Sequence, residues 1–349
     1  MGKRSELVRD MTKPSGTVPT LDDVAKRAGV STATVSRCLN DPDRVVPATR
    51  DRVMAAVDAL GYTPNFAAQV MAAKKTKTIG AIVPTMENAI FARALQAFQD
   101  ELKDQGYTLL VSSSAYDPDI EFQQIRSLAA RGADGLLLIG HARAPEVYAF
   151  LENRSLPTII AWSYQDNARL PCVGFDNKLA MARMAEQVFS QGHRRVAMIS
   201  GVTKGNDRAT PRVAGFKEVA SSYGLSADDL MIVEQPYTVE GGQEAFDVIW
   251  ATDPRPTAII CGNDVLAAGT LLQARSHGVR VPEDLSITGF DNLEFAQVVN
   301  PQLTTVHVPH RIMGRLAAQE IINMVEHGKP GASHALDTRL VLRDSLKTF

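Results

Sequence analysis

The feature that most constrains the fold is a pattern of helix starts and stops in residues 20–40. Thr20, followed three residues later by Asp23, forms a pair that caps a helix start from both sides. Gly29 stands where this helix should end, because the closing turn favours a residue with a left-handed backbone. Ser31 can cap a second helix directly afterwards. The sequence therefore predicts two short helices joined by a tight turn.

The second of these helices has two chemically distinct faces. Apolar residues recur at a spacing of three and four and should face inward: Val35, Cys38 and Leu39. The other face carries short or basic side chains that suit the phosphates and base edges of a DNA major groove. These residues are Thr32, Ala33, Ser36, Arg37 and Asn40. A third helix, with Pro47 in its first turn and Gly61 at its end, completes a match to a helix-turn-helix unit, although an ordinary helical hairpin shares the pattern.

Charge is distributed unevenly along the 349 residues. The first 78 residues carry 13 Lys and Arg against 8 Asp and Glu, a net charge of +5. The remainder carries 24 against 31, a net charge of −7, which brings the whole chain to −2. A basic end on an acidic body is typical of a protein that offers one end to nucleic acid, although chance alone can produce +5.

Longer motifs connect the chain to a known family. Residues 21–40 (Leu-Asp-Asp-Val-Ala-Lys-Arg-Ala-Gly-Val-Ser-Thr-Ala-Thr-Val-Ser-Arg-Cys-Leu-Asn), 46–53 and 60–65 strongly resemble the lac repressor (LacI/GalR) family of bacterial transcription regulators. The resemblance continues in the expected order at residues 77–84, 192–193, 262–264, 289–292 and 303–306. The stretch 173–177 is weakly similar to the gluconate-repressor branch.

The resemblance implies that the second helix reads operator DNA. We expect Thr32, Ala33 and Arg37 to contact bases, with Arg37 able to form a bidentate pair with guanine. A second group is expected to hold the DNA backbone. These residues are Ser31, Thr34, Ser36, Asn40 and Arg44.

The family also implies a hinge that becomes helical on DNA and enters the minor groove. Here the hinge and linker correspond to residues 64–77, and Asn65 is included among the expected DNA contacts. Met71 matches the position of an apolar side chain that wedges into the central base step. Packing against the body is the alternative role for Met71.

From residue 78 onward, apolar strand-like runs alternate with amphipathic helices, the rhythm of parallel sheets covered on both faces. Two sets of strands are predicted, at 79–83, 108–112, 135–139 and 157–161, then at 196–200, 231–234, 258–261 and 286–289. With the resemblance, the fold class is an all-α helix-turn-helix head plus an α/β periplasmic-binding-protein-like body of two doubly wound parallel-sheet subdomains. We expect a disordered arm (1–19), the head (20–63), the hinge (64–77) and the body (78–349), with crossovers near 175, 303 and the C-terminal region.

Open α/β sheets bind ligands beyond the carboxyl ends of their strands, which places an effector in the cleft between the subdomains. The expected ligand-binding residues follow strands or match family positions. They are Asn88, Ile90, Phe91, Trp162, Arg208, Arg212, Asn263 and Asp291. The alternatives are a surface role for Arg212, a helix cap for Asn263, a turn for Asp291 and core packing for Trp162. Two arginines, Arg208 and Arg212, hint at an anionic ligand, so the expected effector is a sugar, sugar acid or sugar phosphate.

Several function classes find no support in the motifs. Phosphate-binding, nucleophile-elbow, dinucleotide and metal-spaced patterns are missing from the sequence, so we expect neither an enzyme nor a cofactor. The three cysteines, Cys38, Cys172 and Cys261, form no metal-binding or disulfide spacing, which suits a reducing cytosol. Charged N-terminal residues without an apolar segment do not resemble a signal peptide. We therefore expect a cytoplasmic homodimer that binds a pseudo-palindromic operator and represses sugar-utilisation genes. A sugar-binding receptor and a sugar-modifying enzyme with a regulatory head are the alternatives.

Overall fold

The computed structural model describes residues 18–63, 75–87, 89–226 and 229–348, excluding the side chain of Asn40. The chain divides into two compact units, Met1–Thr76 and Lys77–Phe349, called the head and the body below. Each is described separately. Most of the expected arm and hinge, together with Asn65, Met71 and Asn88, lies outside the described residues.

Three helices make up the described head. They are α1 (Leu21–Ala28), α2 (Thr32–Asn40) and α3 (Pro47–Leu60), with a 3-10 turn at Pro42–Arg44. The capping pair forms at the start of α1, where the Thr20 amide donates to Asp23 Oδ2 at 2.9 Å and the Asp23 amide donates to Thr20 Oγ1 at 3.3 Å. Gly29 ends α1 with a φ of 63°, so the glycine supplies the left-handed turn that the sequence predicted.

The three helices of the head enclose a small apolar core. Its buried residues come from all three helices and the following turn: Val24, Ala25, Ala28, Val35, Cys38, Val53, Ala56, Val57 and Tyr62. Cys38 is a buried free thiol, which confirms its predicted place on the inward face of α2. Burial of this apolar set holds α2 at a fixed orientation on α1 and α3.

The body begins with a parallel sheet flanked by helices. Its elements are β1 (Thr78–Val83), α4 (Ala89–Asp104), β2 (Thr108–Ser113), α5 (Pro118–Ala130), β3 (Gly135–Ile139), α6 (Pro145–Asn153), β4 (Thr158–Ala161) and β5 (Cys172–Gly174). With β11 (His334–Ala335), the strands lie in the order β11-β5-β4-β3-β1-β2, all parallel. This sheet and its helices form the first subdomain.

A second parallel sheet repeats the arrangement. Its elements are α7 (Asn177–Ser190), β6 (Val196–Gly201), α8 (Ala209–Ser222), β7 (Ile232–Gln235), α9 (Val239–Trp250), β8 (Ala258–Cys261), α10 (Asp264–Ser276) and β9 (Ser286–Thr288). Its strand order is β7-β6-β8-β9, again parallel throughout. The predicted strands of both sheets are present, with their ends shifted by at most one residue.

The chain passes between the two sheets more than once. It leaves the first sheet after β5 and returns through β10 (Thr305–His307) and α11 (His310–His327), which packs against α4. It then adds β11 to the first sheet and pairs β12 (Arg339–Val341) with β10 in an antiparallel ribbon. Strands β5, β10, β11 and β12 were not predicted, because two or three residues are too few to show a periodicity.

Among the described residues, no helix has the length and apolarity needed to span a membrane.

Candidate functional site

The exposed face of α2 carries small and basic side chains. Thr32, Ala33 and Arg37 are exposed, whereas Val35 and Cys38 on the opposite face are buried. Thr32 and Ala33 lie in the first turn, and Arg37 lies in the last turn. Since methyl groups can contact thymine and a guanidinium can pair with guanine, this face has the chemistry needed to read a major groove.

The start of α2 is fixed by its own side chains. Ser31 Oγ accepts a hydrogen bond from the Thr34 amide at 3.2 Å and lies 2.9 Å from Thr34 Oγ1. Two predicted backbone contacts are therefore already part of the cap, and their exposed hydroxyl groups lie at the positive end of the helix dipole. Arg44 is exposed and lies 3.7 Å from Asp41, so its guanidinium is accessible to a phosphate. Ser36 is half-buried, and the side chain of Asn40 is not described.

In the body, the second candidate site lies where the two sheets meet. Arg212, on α8, is buried and donates to Asn177 Oδ1 at 2.9 Å and to the Gly262 carbonyl at 2.7 Å. Its guanidinium also lies 3.8 Å from the centre of the Phe290 ring, a cation–π contact. The alternative surface role for Arg212 is therefore wrong, because this side chain is buried, and its predicted contact with a ligand stays a prediction.

Asn263 has the helix-cap role, one of the two roles that its sequence allows. Its Oδ1 accepts the Leu266 amide at 2.8 Å, which makes it the cap of α10. Its Nδ2 is buried and has no hydrogen-bond partner within the described chain. The Oδ1 atom of the amide thus caps α10, and the Nδ2 atom remains available as a donor.

Asp291 holds an unusual buried carboxylate. Its backbone φ is 99°, a left-handed conformation, and its side chain is fully buried. Neither Oδ1 nor Oδ2 accepts a hydrogen bond from any residue that the structure describes. Burying an unpaired carboxylate is costly, and a group in such a state calls for a functional or structural reason.

Next to this carboxylate is His310, which the sequence analysis did not single out. Its Nε2 lies 3.8 Å from Asp291 Oδ1, too far for a direct hydrogen bond, and also has no partner in the described residues. His310 is the first residue of α11, directly beyond β10. The rule that ligands bind beyond strand ends could have identified it.

The wall on the side of the first subdomain is aromatic. Trp162 directly follows β4 and has a φ of 67°. Its ring centre lies 5.1 Å from that of Phe91 and 6.4 Å from that of His310. The indole Nε1 is buried without a partner among the described residues. Trp162 therefore packs in the core and also has an unused donor, while Phe91 supports its ring. Ile90 is buried in the same core cluster.

A contact between the two subdomains closes the cleft on one side. Asp207, which precedes α8, accepts a hydrogen bond from the His141 amide and one from Arg208 Nη1 at 2.8 Å. Arg208 Nη1 also reaches the Ile139 carbonyl at 3.5 Å. Gly140 is needed here, because a Cβ at this residue would collide with Asp207 and Arg208. Arg208 is thus paired within the protein, and its expected contact with a ligand stays a prediction.

Two tyrosines face each other across the cleft. The ring centres of Tyr116, from the first subdomain, and Tyr237, from the second, are 6.5 Å apart. Burial raises the pKa of Tyr237, so its hydroxyl keeps its proton and can donate to a ligand. Neither tyrosine was predicted, because each lies in a loop whose partner is distant in sequence.

Comparison with known proteins matches two family domains to the chain. The family described as bacterial regulatory proteins, lacI family, matches residues 20–65, and the periplasmic binding proteins and sugar-binding domain of the LacI family match residues 76–340. The chain belongs to the LacI family. This establishes it as a DNA-binding transcriptional regulator with a ligand-binding body, as its sequence predicted.

Individual relatives extend over nearly the whole length. Catabolite control protein A of Priestia megaterium is 33% identical and is matched over 85% of this chain and 90% of its own length. The HTH-type transcriptional repressor CytR of Escherichia coli (strain K12) is also 33% identical, over 97% and 99%. A LacI-family regulator from Silicibacter pomeroyi has a similar structure, with a TM-score of 0.85, 27% identity and coverage of 94% and 99%. The head and body thus belong together in one regulator.

Proposed function

We propose that this LacI-family regulator represses genes of carbohydrate use and that a sugar-type effector bound in the cleft changes its affinity for an operator. The main support is that one chain combines two features. The face of α2 that could read DNA is exposed, and the cleft contains buried polar atoms, such as those of Asp291 and Asn263, without partners among the described residues. Two names support the proposal: CytR is called a transcriptional repressor, and the matched body family is called sugar-binding.

Two copies are expected on each operator. A twofold pair of heads reads two half-sites related by the same axis, so the operator should be a pseudo-palindrome. Thr32, Ala33 and Arg37 would contact bases, while Ser31, Thr34 and Arg44 would hold phosphates. Because the proposed function requires contact with operator DNA, we expect the protein in the cytoplasm.

Effector control requires the ligand to distinguish two states of the protein. A ligand that binds the DNA-competent and DNA-incompetent states equally shifts nothing, so the cleft must differ between them. A coupling free energy of about 1–3 kcal/mol would change operator affinity by roughly 5- to 150-fold. The hydrogen bond from the His141 amide to Asp207 joins the two subdomains and would be lost if they moved apart.

The test is a selection of bound duplexes from random DNA with the full-length protein, followed by affinity measurements at fixed salt. We expect a palindrome with two half-sites. Arg37→Ala should weaken binding to it by about 1–3 kcal/mol per half-site and relax the preference for one base pair in each. Arg52→Ala is the matched control, because Arg52 is exposed on α3 and is not among the predicted contacts.

Two outcomes would contradict the proposal. One is sequence-independent binding with a steep salt dependence, with and without a mixture of sugars, which would leave only phosphate attraction. The other is an equal effect of Arg37→Ala and Arg52→Ala, which would show that the exposed face of α2 does not read bases.

A further inference from the structure

Asn292, which follows β9, is held by hydrogen bonds from several parts of the body. Its backbone is left-handed, with a φ of 53°. Its amide donates to Thr305 Oγ1 at 3.3 Å, and its carbonyl accepts from Arg93 Nη1 at 3.4 Å. Its side-chain Oδ1 accepts from Arg343 Nη2 at 2.7 Å. Since Arg93 lies on α4 of the first subdomain and Asn292 belongs to the second, this residue ties the two subdomains together.

The side-chain amide of Asn292 decides the protonation state of His307. A guanidinium can only donate, so the atom that faces Arg343 must be the oxygen Oδ1, and the amide nitrogen Nδ2 must point the other way. Nδ2 lies 3.2 Å from Nδ1 of His307, the last residue of β10. Because Nδ2 can only donate, Nδ1 has to accept, which requires a neutral imidazole with its proton on Nε2.

The positive groups around His307 also oppose a proton on its ring. Arg339 on β12 is its partner in the register of the antiparallel ribbon, and Arg93 approaches from α4. His310, at the start of α11, is the third such group. Burial is the first cause that lowers the pKa of His307, and repulsion from Arg339, His310 and Arg93 adds to it.

The carboxyl groups close to this loop have other neighbours. They are those of Asp264, Asp291 and Glu294. Their contacts, at 2.6 Å, 3.8 Å and 3.1 Å, are with Thr305 Oγ1, His310 Nε2 and Arg93 Nη2, respectively. In the described structure none of these carboxyl groups accepts a hydrogen bond from the ring of His307, so none of them compensates a positive charge there directly.

We propose that His307 and Asn292 form a pH-sensitive joint between the two subdomains. While His307 is neutral, it accepts from Asn292 and fixes the loop that Arg93 holds against α4. Acidification below about pH 6 places a proton on Nδ1, opposite a group that can only donate, and the hydrogen bond is lost. The subdomains then become free to change their relative position. This inference goes beyond the proposed function, because no ligand in the cleft takes part.

The first experiment follows thermal unfolding of the full-length protein between about pH 7.5 and pH 5.5 by tryptophan fluorescence, which reports the body. The folded-state pKa of His307 lies below its ordinary value, so its contribution to stability is present above about pH 6.5 and is lost as the pH falls further. In His307→Gln the side chain stays neutral and can still accept from Asn292. We expect the unmodified protein to lose about 2 °C more in melting temperature than this variant.

Other titrating groups are the same in both proteins, so their effects cancel in this difference. His327→Gln is the matched control, because His327 is exposed at the end of α11, and it should behave as the unmodified protein does. Equal losses of melting temperature in the unmodified protein and in His307→Gln would overturn the proposal.

Asn292→Asp reverses the chemistry at one atom, which distinguishes a joint from a histidine that is merely buried. The carboxylate can still accept from Arg343, and its second oxygen faces His307 Nδ1 and favours a proton there. The melting temperature of this variant should therefore fall less than that of the unmodified protein on acidification, or rise. Asn323→Asp, exposed on α11, controls for the added carboxylate. A fall as large as that of the unmodified protein contradicts the proposal.

Spin labels measure the relative position of the subdomains directly. Glu146→Cys on α6 and Glu244→Cys on α9 place one label on each subdomain at exposed positions, and the three native cysteines are buried. Labelled protein is mixed with an excess of unlabelled protein, so that distances within one chain dominate. At the lower pH we expect a shifted or broader distance distribution, which His307→Gln abolishes. An identical distribution at both pH values would overturn the proposal, and no DNA is needed to see it.

A final experiment asks whether the joint affects the head, and only this step rests on the proposed function. The affinity for the selected operator is measured at the same two pH values. We expect it to change at least about fivefold more in the unmodified protein than in His307→Gln. The two proteins have the same head, so titration within the head cancels. Equal pH dependence would show that the joint does not control DNA binding, whereas failure to select any operator would count against the proposed function alone.

Discussion

The two functional surfaces of this regulator treat polar groups in opposite ways. On α2 of the head, Thr32 and Arg37 are exposed to water, and Ser31 is satisfied by its own helix cap. In the body, Asp291, Asn263 and Trp162 bury polar atoms that the described protein leaves without partners. A surface that meets DNA can be solvated until it binds, whereas an enclosed cleft must hold its polar atoms ready at a cost in stability. The comparison predicts that polar groups kept for function lower the stability of the body more than that of the head.

The largest expected effect that tests this contrast is on stability as a function of pH. Burial raises the pKa of Asp264 to about 7, with repulsion from Asp291 adding to it. Because the folded pKa lies above the ordinary value, the body should lose stability as the pH rises from about 4 to 7, by a total of about 4 kcal/mol, and then level off. The carboxyl of Asp23 in the head behaves in the opposite sense. Its hydrogen bonds with Thr20 lower its pKa, so the stabilisation that it gives the head is lost as the pH falls below about 4.

The two parts of the chain can be followed separately. Both tryptophans, Trp162 and Trp250, belong to the body, so their fluorescence reports its unfolding by denaturant. Helical circular dichroism of a head fragment, if it folds alone, reports the other part. Asp264→Asn should remove most of the slope of body stability between pH 4 and 7. A body whose stability stays level over that range, or rises with pH, would disagree with a neutral Asp264 in the folded state.

The next effect concerns the packing of α11. A Cβ at Gly314 would lie 2.0 Å from the Ala94 carbonyl oxygen on α4, so Gly314→Val should destabilise the body by about 3 kcal/mol. Asn323→Val, at an exposed position of the same helix, should change stability by only about 0.5 kcal/mol, through helix propensity. Denaturant unfolding followed by tryptophan fluorescence measures both. Similar losses in the two variants would show that α4 and α11 can separate at little cost.

The smallest effect compares equivalent helix caps in the two parts. Ser31→Ala in the head and Thr238→Ala in the body each remove one cap, at 3.2 Å and 2.9 Å, and each should cost about 1 kcal/mol. The same free energy should lower the melting temperature of the small head by about 4–8 °C and that of the larger body by about 2 °C. Calorimetry that resolves the two transitions tests this. Equal shifts would indicate that head and body unfold as one unit.

How far the sequence predicted this molecule depends on the range of the interactions. The caps at Thr20 and Ser31 and the turn at Gly29 are set within a few residues, so the pattern of residues was enough to predict the helices around them. The long apolar strands of both sheets were also predicted, because a fully buried strand needs an unbroken apolar run.

The cleft was only partly predictable. Arg212, Asn263, Asp291 and Trp162 were named from their positions after strands or from the family resemblance, and the structure brings them into one region. Their direct role in binding is still a prediction. The pairing of Arg208 with Asp207 and the place of His310 depend on contacts between residues far apart in the chain, which no local pattern reports.

Helix α11 connects two different regions of the body, one at each of its ends. At its first residue, His310 faces the cleft; near its last turn, Glu326 accepts hydrogen bonds from Tyr107 and Lys77, where the chain leaves the body toward the head. Sixteen residues of helix separate them, about 24 Å at 1.5 Å per residue. A rigid rod of that length is a lever: a tilt of about 2.5°, pivoting at His310, moves Glu326 by about 1 Å. A tilt that leaves His310 in place at the cleft therefore moves the carboxylate that holds Lys77 by about 1 Å.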